Sequence, residues 1–194
     1  MELTTCAWCH ATPLYRKYHD TEWGRPVRDE QRMFEFLLLE TFQAGLSWIT
    51  ILNKRENFRE AFHGFDPVKV AQMDESDVER VLQNPGIIRH RGKVQAAIQN
   101  AQCVLHMHEQ GSSLVEFFWS YLKNQPQVNH WKNLNELPAI TPLSERISKD
   151  LKKLGFKFVG PTTVYAHMQA TGMVNDHLIT CPQHREIQDI YQRK

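Results

Sequence analysis

At 194 residues, with a formal net charge of +1, 41% hydrophobic and 23% charged side chains, the chain has the composition of one globular domain over residues 1–194. That balance excludes a disordered chain and one that captures a polyanion through its overall field, so a nucleic-acid partner would have to meet a local basic patch. Four cysteines in so long a chain are no disulfide framework, residues 1–6 carry no basic-then-apolar leader, and no apolar run reaches bilayer length; reduced thiols, the cytoplasm and no membrane contact are expected.

Residues 1–28 lack helical periodicity but are dense in Cys6, Trp8, Cys9, His10, Tyr15, Tyr18, His19 and Trp23. They read as a mostly irregular arm, with a short helix near 14–19, held to a helical core by a metal or by its aromatics. Asp29 caps a helix to about Ala44 with Met33, Phe34, Leu37 and Leu38 inward. Gly45 breaks it, and Ser47 can cap the next, which turns Trp48, Ile51, Leu52, Phe58 and Phe62 inward and ends at Gly64. Asp66-Pro67 and Asp74 open two short helices. Asn84-Pro85-Gly86 is a turn, and 93–106 is amphipathic. Ser113 with Glu116 forms a capping-box pair, 124–140 is a loop, and two further helices run from Thr141-Pro142 to Gly155 and from Gly160-Pro161 to near Gly172. The tail over 182–194 need not be ordered. No run of alternating β-branched residues is present, so the class is all-α.

Glu40 is the point around which this chain can be arranged. It is the only charged residue between Phe36 and Asn53. Its helical neighbours at i±3 and i±4 are Phe36, Leu37, Gln43 and Ala44, none of them charged. A carboxylate in such surroundings is costly unless it is paired, and perturbed carboxylates cluster at functional sites. Across the Gly45 turn, an acid and the indole of Trp48 meet at one corner.

The segment Gly155-Phe156-Lys157-Phe158-Val159-Gly160 joins a helix bearing Lys149, Lys152 and Lys153 to one opening Pro161-Thr162-Thr163. A glycine-bearing turn at a helix N-terminus offers free backbone N–H groups to a phosphate, and the lysines add counter-charge. With Gly86-Ile87-Ile88-Arg89-His90-Arg91-Gly92-Lys93 upstream, it resembles the helix-hairpin-helix superfamily of DNA base-excision glycosylases, Phe158 standing where that superfamily usually has a glycine. Five motifs in order narrow the resemblance: Tyr18-His19-Asp20-x-Glu22-Trp23-Gly24, Gln43 to Thr50, Gly86 to Lys93, Gly155 to Gly160, and Val174-Asn175-Asp176-His177. Together they are similar to the constitutive bacterial 3-methyladenine DNA glycosylase I family over residues 6–181.

The resemblance implies an all-α helix-hairpin-helix fold and a monofunctional enzyme that releases 3-methyladenine, and more weakly 3-methylguanine, from alkylated double-stranded DNA, acting as a monomer. Glu40 would be the catalytic residue and contact the base edge. Trp48 and Tyr18 would stack on the base, with Tyr15 and Trp8 completing the pocket. Gly45 and Leu46 would occupy the gap left in the duplex, while Lys157, Gly160 and Thr162 would hold DNA. An N3-alkylated adenine is already cationic and leaves without a proton, so the remaining tasks are extrusion, recognition and charge stabilisation. An ionised Glu40 and an aromatic cage suit such a ring.

The resemblance also implies one structural zinc, on Cys6, His19, His177 and Cys181. Spacing alone pairs Cys6-x-x-Cys9 with Cys181-x-x-His184, a common zinc pattern. His19 and His177 lie inside matching motifs, which favours the first set; either set ties the arm to the C-terminal region. Other readings stay in view: a non-catalytic helix-hairpin-helix DNA-binding module, a glycosylase/lyase using Lys157 as nucleophile, and a c-type haem site at Cys6-Ala7-Trp8-Cys9-His10.

Overall fold

The computed structural model describes residues 4–192. Helix α2 (Glu30–Gln43) is its axis: every side chain from Met33 to Phe42 is buried, so this stretch has no wet side, and only the two ends of the helix meet solvent. Around it lie α3 (Trp48–Ala61), α6 (Arg91–Glu109), α7 (Leu114–Ser120) and α9 (Pro161–Ala170), each in contact with α2. Helices α4 (Pro67–Ala71) and α5 (Glu75–Gln83) pack on α6, and α8 (Pro142–Lys153) packs on α9. The main core is built from side chains such as Phe34, Phe42, Phe58, Phe62, Val94, Trp119 and Val164. A second, smaller aromatic cluster of Tyr18, Trp23, Phe36 and Leu52 lies against Trp8, Tyr15 and Trp48. Among the described residues no helix is long and apolar enough to cross a membrane.

The caps that fix these helices follow from the sequence. Asp29 accepts from the Arg32 amide at 2.8 Å, Asp74 and Asp77 form a reciprocal box, and Thr141 does the same with Ser144. Ser113 accepts from the Glu116 amide, but the reciprocal bond from the Glu116 carboxylate to the Ser113 amide is not made among the described residues. The Glu30 carboxylate takes the Leu114 and Val115 amides at 2.7 and 3.0 Å, locking α7 onto α2. Ser47 stands at the N-cap of α3 without accepting a backbone hydrogen bond; its hydroxyl meets that of Thr50 at 2.8 Å.

Three segments are more ordered than the sequence suggested. The arm holds a 3₁₀ turn, Ala7–Ala11, and a full helix α1 (Pro13–Thr21), with Thr12 accepting from the Tyr15 amide. Helix α10 (Pro182–Gln192) occupies most of the tail over 182–194, anchored by the buried Ile187; residues 193 and 194 lie outside the described part. Within the loop over 124–140, β1 (Gln127–Val128) pairs in parallel with β2 (Val174–Asn175), a small exception to an otherwise helical fold.

An ion network ties α1, α2 and α3 together. Glu35, 3% exposed, accepts from Arg55 Nε at 2.8 Å and Arg59 Nη2 at 3.1 Å. Glu22, capping α1, accepts from Arg55 Nη1 at 2.8 Å and also from Arg32. The three elements carrying Tyr18, Glu40 and Trp48 are thereby held in register. Arg55→Met removes the cation shared by both acids, leaving Glu35 to Arg59 and Glu22 to Arg32, and is expected to lower stability by about 1–3 kcal/mol, read as the free energy of urea unfolding.

Candidate active site

Glu40 lies in the last turn of α2, 3% exposed, and its Oε2 has no hydrogen-bond partner among the described residues. It lines a cavity of about 230 Å³. The other four residues expected to bind a base, Trp8, Tyr15, Tyr18 and Trp48, line the same cavity. Trp8 comes from the 3₁₀ turn, Tyr15 and Tyr18 from one face of α1, and Trp48 from the first position of α3. Tyr18 and Trp48 rings lie 5.5 Å apart at 49°, and Trp8 and Tyr15 4.7 Å apart at 55°, so the walls are flat aromatic surfaces set at angles. The indole Nε1 of Trp48 is buried and also without a partner. An unpaired acceptor and an unpaired donor therefore border one apolar space, an arrangement that a polar, planar ligand would satisfy.

Burial pushes the Glu40 carboxyl up to about 8. Among the described residues no cation offsets this desolvation, so in the free protein the acid favours its protonated form at neutral pH, and ionisation needs a charge brought from outside. Tyr18 is likewise pushed well up by burial, with the Glu40 charge as a second cause.

Five further side chains reach the cavity: Trp23, Gln43, Leu137, Ala166 and Gln169. Gln43 is one helical turn beyond Glu40, a signal available in the sequence. Leu137, Ala166 and Gln169 come from the 124–140 loop and from α9, and nothing local marks them.

Gly45, with φ +83°, makes the left-handed turn between α2 and α3 and leaves Leu46 40% exposed. Lys93 buttresses this turn from below. Its ammonium donates to the carbonyls of Phe42 at 2.9 Å and Ala44 at 2.7 Å, capping the negative end of α2. The hairpin residues Lys157 and Thr162 are exposed, and Gly160 forms the side-chain-free N-cap of α9. The hairpin is tied to α6 by two bonds between Asn100 and the Lys157 backbone, at 2.7 and 3.1 Å. Phe158 adopts φ 54°, a left-handed backbone that explains why glycine suits this position, and it stands 43% exposed beside His90. Among the described residues neither Lys157 nor any other lysine lines the cavity, which leaves the lyase reading without a placed nucleophile.

Cys6, His19, His177 and Cys181 are all buried, and their ligand atoms lie within 4.8 Å of one another. The outer nitrogens of both imidazoles are already engaged, His19 Nδ1 with Asp20 at 2.7 Å and His177 Nε2 with the Trp23 carbonyl at 3.0 Å. That leaves His19 Nε2 and His177 Nδ1 turned towards the two sulfurs, the outer-sphere arrangement of a metal-binding histidine pair. Cys9 and His184 are outside this group; His184 instead meets the Asn129 carbonyl at 2.7 Å. The spacing-based set is thus not assembled, and Cys6 is drawn away from a haem-type pairing with Cys9. The thiol of Cys6 is pushed up and that of Cys181 down, chiefly by the hydrogen bond between them. This buried pair of cysteines and pair of histidines could hold a metal ion.

Residues 8–184 match the sequence pattern of the family described as Methyladenine glycosylase. The chain belongs to that family. It is 56% identical over 176 residues to DNA-3-methyladenine glycosylase 1 of Escherichia coli strain K12, covering 91% of this chain and 94% of that one. A crystal structure of 3-methyladenine DNA glycosylase I superposes with a TM-score of 0.90 at 53% identity, covering 92% of this chain and 98% of the other. A Tyr-to-Phe variant of 3-methyladenine DNA glycosylase I in complex with 3-methyladenine is similar at 39% identity and a TM-score of 0.89, covering 92% and 96%. In this methyladenine glycosylase the helical fold and the join between the two ends of the chain agree with the family resemblance.

The raised Glu40 acid has a measurable cost. Folded, it keeps its proton up to about pH 8; unfolded, it loses it near 4.5. The folded state therefore loses stability as the pH climbs between those values. Glu40→Gln is expected to match the parent near pH 5 and to be increasingly more stable towards pH 8, as read by thermal melting across that range.

Proposed function

We infer that this chain is a DNA-3-methyladenine glycosylase, cleaving the N-glycosidic bond of 3-methyladenine in double-stranded DNA and releasing the free base. The observation carrying this reading is a buried, unpaired carboxyl at the edge of an aromatic cavity, in a chain of the methyladenine glycosylase family. The substrate base is extruded into the cavity, where Tyr18 and Trp48 stack on it and Trp8 and Tyr15 close the sides. Gly45 and Leu46, braced by Lys93, fill the vacated place in the duplex; Lys157, Gly160 and Thr162 hold the phosphate backbone.

The chemistry needs little acid–base help. Alkylation at N3 leaves the ring positively charged, so the bond to the sugar is already weak. A cationic ring entering the cavity favours the ionised form of Glu40, whose proton passes to bulk water, and the carboxylate so formed accepts from the base and steadies positive charge as the bond breaks. Each good aromatic contact adds about 0.5–2 kcal/mol of preference for a cation. Water then attacks the sugar. Glu40 is the catalytic residue in this scheme through charge, and 3-methylguanine is a weaker substrate. The enzyme works as a monomer in the cytoplasm.

The Cys6–His19–His177–Cys181 group is read as a structural zinc site. Two thiols and two oriented imidazoles are the donor set zinc prefers, and a closed set of four leaves no coordination position for substrate. Bound there, zinc would neutralise the thiolates and fasten the aromatic arm to the segment after β2.

Glu40→Gln is expected to slow release of 3-methyladenine from methylated DNA on the order of a hundredfold, with duplex affinity nearly unchanged; equal loss of both would remove Glu40 from catalysis. For the parent, kcat/KM should rise with pH to a midpoint near 8, the Glu40 value, and the variant should lack that limb. A non-catalytic duplex binder would release no base at all. Metal analysis is expected to give one zinc per chain. Cys181→Ser should lose it together with melting temperature, whereas Cys9→Ser should keep both.

A further inference from the structure

Asp176, the acid of the last sequence motif, is 1% exposed and does not line the cavity. Its two oxygens are fully occupied. Oδ1 accepts from Asn129 Nδ2 at 2.6 Å and Trp131 Nε1 at 2.8 Å; Oδ2 accepts from the Tyr165 hydroxyl at 2.6 Å and Gln169 Nε2 at 2.8 Å. All four partners approach as donors, so neither oxygen has a free direction left for a substrate.

One of those donors reaches the cavity. Gln169 lies on α9 and lines the same space as Glu40 and Trp48. An amide has one accepting and one donating end, and a carboxylate can only be met by the donating end. The bond to Asp176 therefore fixes which way the Gln169 amide faces. Its Oε1 is the end not committed to Asp176. Three other donors hold Asp176 still, so turning the amide over would set an acceptor against a fixed acceptor. A residue that lines the cavity beside Glu40 thus has its amide orientation set from behind by Asp176.

Resting on the glycosylase reading above, we propose that Gln169 is a specificity-determining residue whose Oε1 accepts from the exocyclic amine of an adenine-type base, with Asp176 as its positioning residue. Adenine offers a donor at this edge where guanine offers a carbonyl oxygen. A glutamine free to rotate would serve both. A glutamine held by Asp176 meets the guanine oxygen with its own oxygen, and a buried acceptor facing an acceptor is left unpaired. The aromatic walls favour any cationic purine; the locked amide separates the amine-bearing ring from the oxo-bearing one. Asp176 is then retained as a clamp and takes no part at the sugar.

The test compares kcat/KM for release of 3-methyladenine and 3-methylguanine from methylated DNA in the parent, Gln169→Leu and Asp176→Asn. Near-ultraviolet circular dichroism and metal content check the fold. Gln169→Leu is expected to lower the preference for 3-methyladenine by about tenfold or more while keeping its fold. Asp176→Asn can pair with either end of the glutamine amide and should lower the preference in the same direction. An unchanged ratio in folded Gln169→Leu overturns the proposal. So does a folded Asp176→Asn that loses both activities equally, since that would mark an acid acting in the reaction. If Asp176→Asn does not fold, Gln169→Leu decides alone. A parent protein that releases neither base would instead defeat the glycosylase reading itself.

Discussion

A carboxyl group buried without a cation is the constraint from which the architecture follows. Glu40 could have been neutralised by an arginine, and the chain has arginines close at hand, since Arg55 and Arg32 converge on Glu35 and Glu22. Those cations are spent on pairs within the scaffold. Glu40, on the same helix as Glu35, is left facing an empty aromatic space with an unused oxygen. The difference between the two acids is environment, not residue type. One holds helices together, and the other stands unpaired in the wall of a cavity.

Such a site needs stiff surroundings, because a mobile wall would let water reach the acid and remove its selectivity. Stiffness comes from three directions. The ion network sets α1 against α2 and α3. Lys93 closes the C-terminal end of α2 just below the Gly45 turn. The four-residue cluster fastens the arm bearing Trp8, Tyr15 and Tyr18 beneath the segment that follows β2. None of these elements touches the cavity centre, yet each fixes the direction of a side chain that does.

Much of this was legible in the residues. The position of Glu40 in an apolar run, the glycine break after it and the Asp, Thr and Pro caps were enough to give the helices and the acid–indole corner. The cluster of two cysteines and two histidines needed the family motifs, because spacing by itself favours Cys9 and His184, which the fold directs elsewhere. Other features were not legible because they are properties of tertiary contact. Helix α10 is short and rests on Ile187; the β1–β2 pair is two residues long; Leu137 and Gln169 enter the cavity from segments distant in sequence. The protonation of Glu40 is not legible for the same reason. A sequence tells how apolar the neighbours of an acid are, but not whether an arginine from another helix arrives to neutralise it.

The join between Cys6 and Cys181 has a topological meaning as well. With an ion in place the polypeptide becomes a nearly closed ring, its two free ends being the only parts left outside. Loops of that size are where closure restricts the denatured chain most, and the restriction grows only slowly with further length. A backbone cut in any surface turn inside the ring, such as the one at Gly111, would leave two fragments still fastened at one point and able to re-associate as an intramolecular event. Loss of such an ion, or alkylation of the two cysteines, would release that one fastening and leave the fragments to the packing of the core alone.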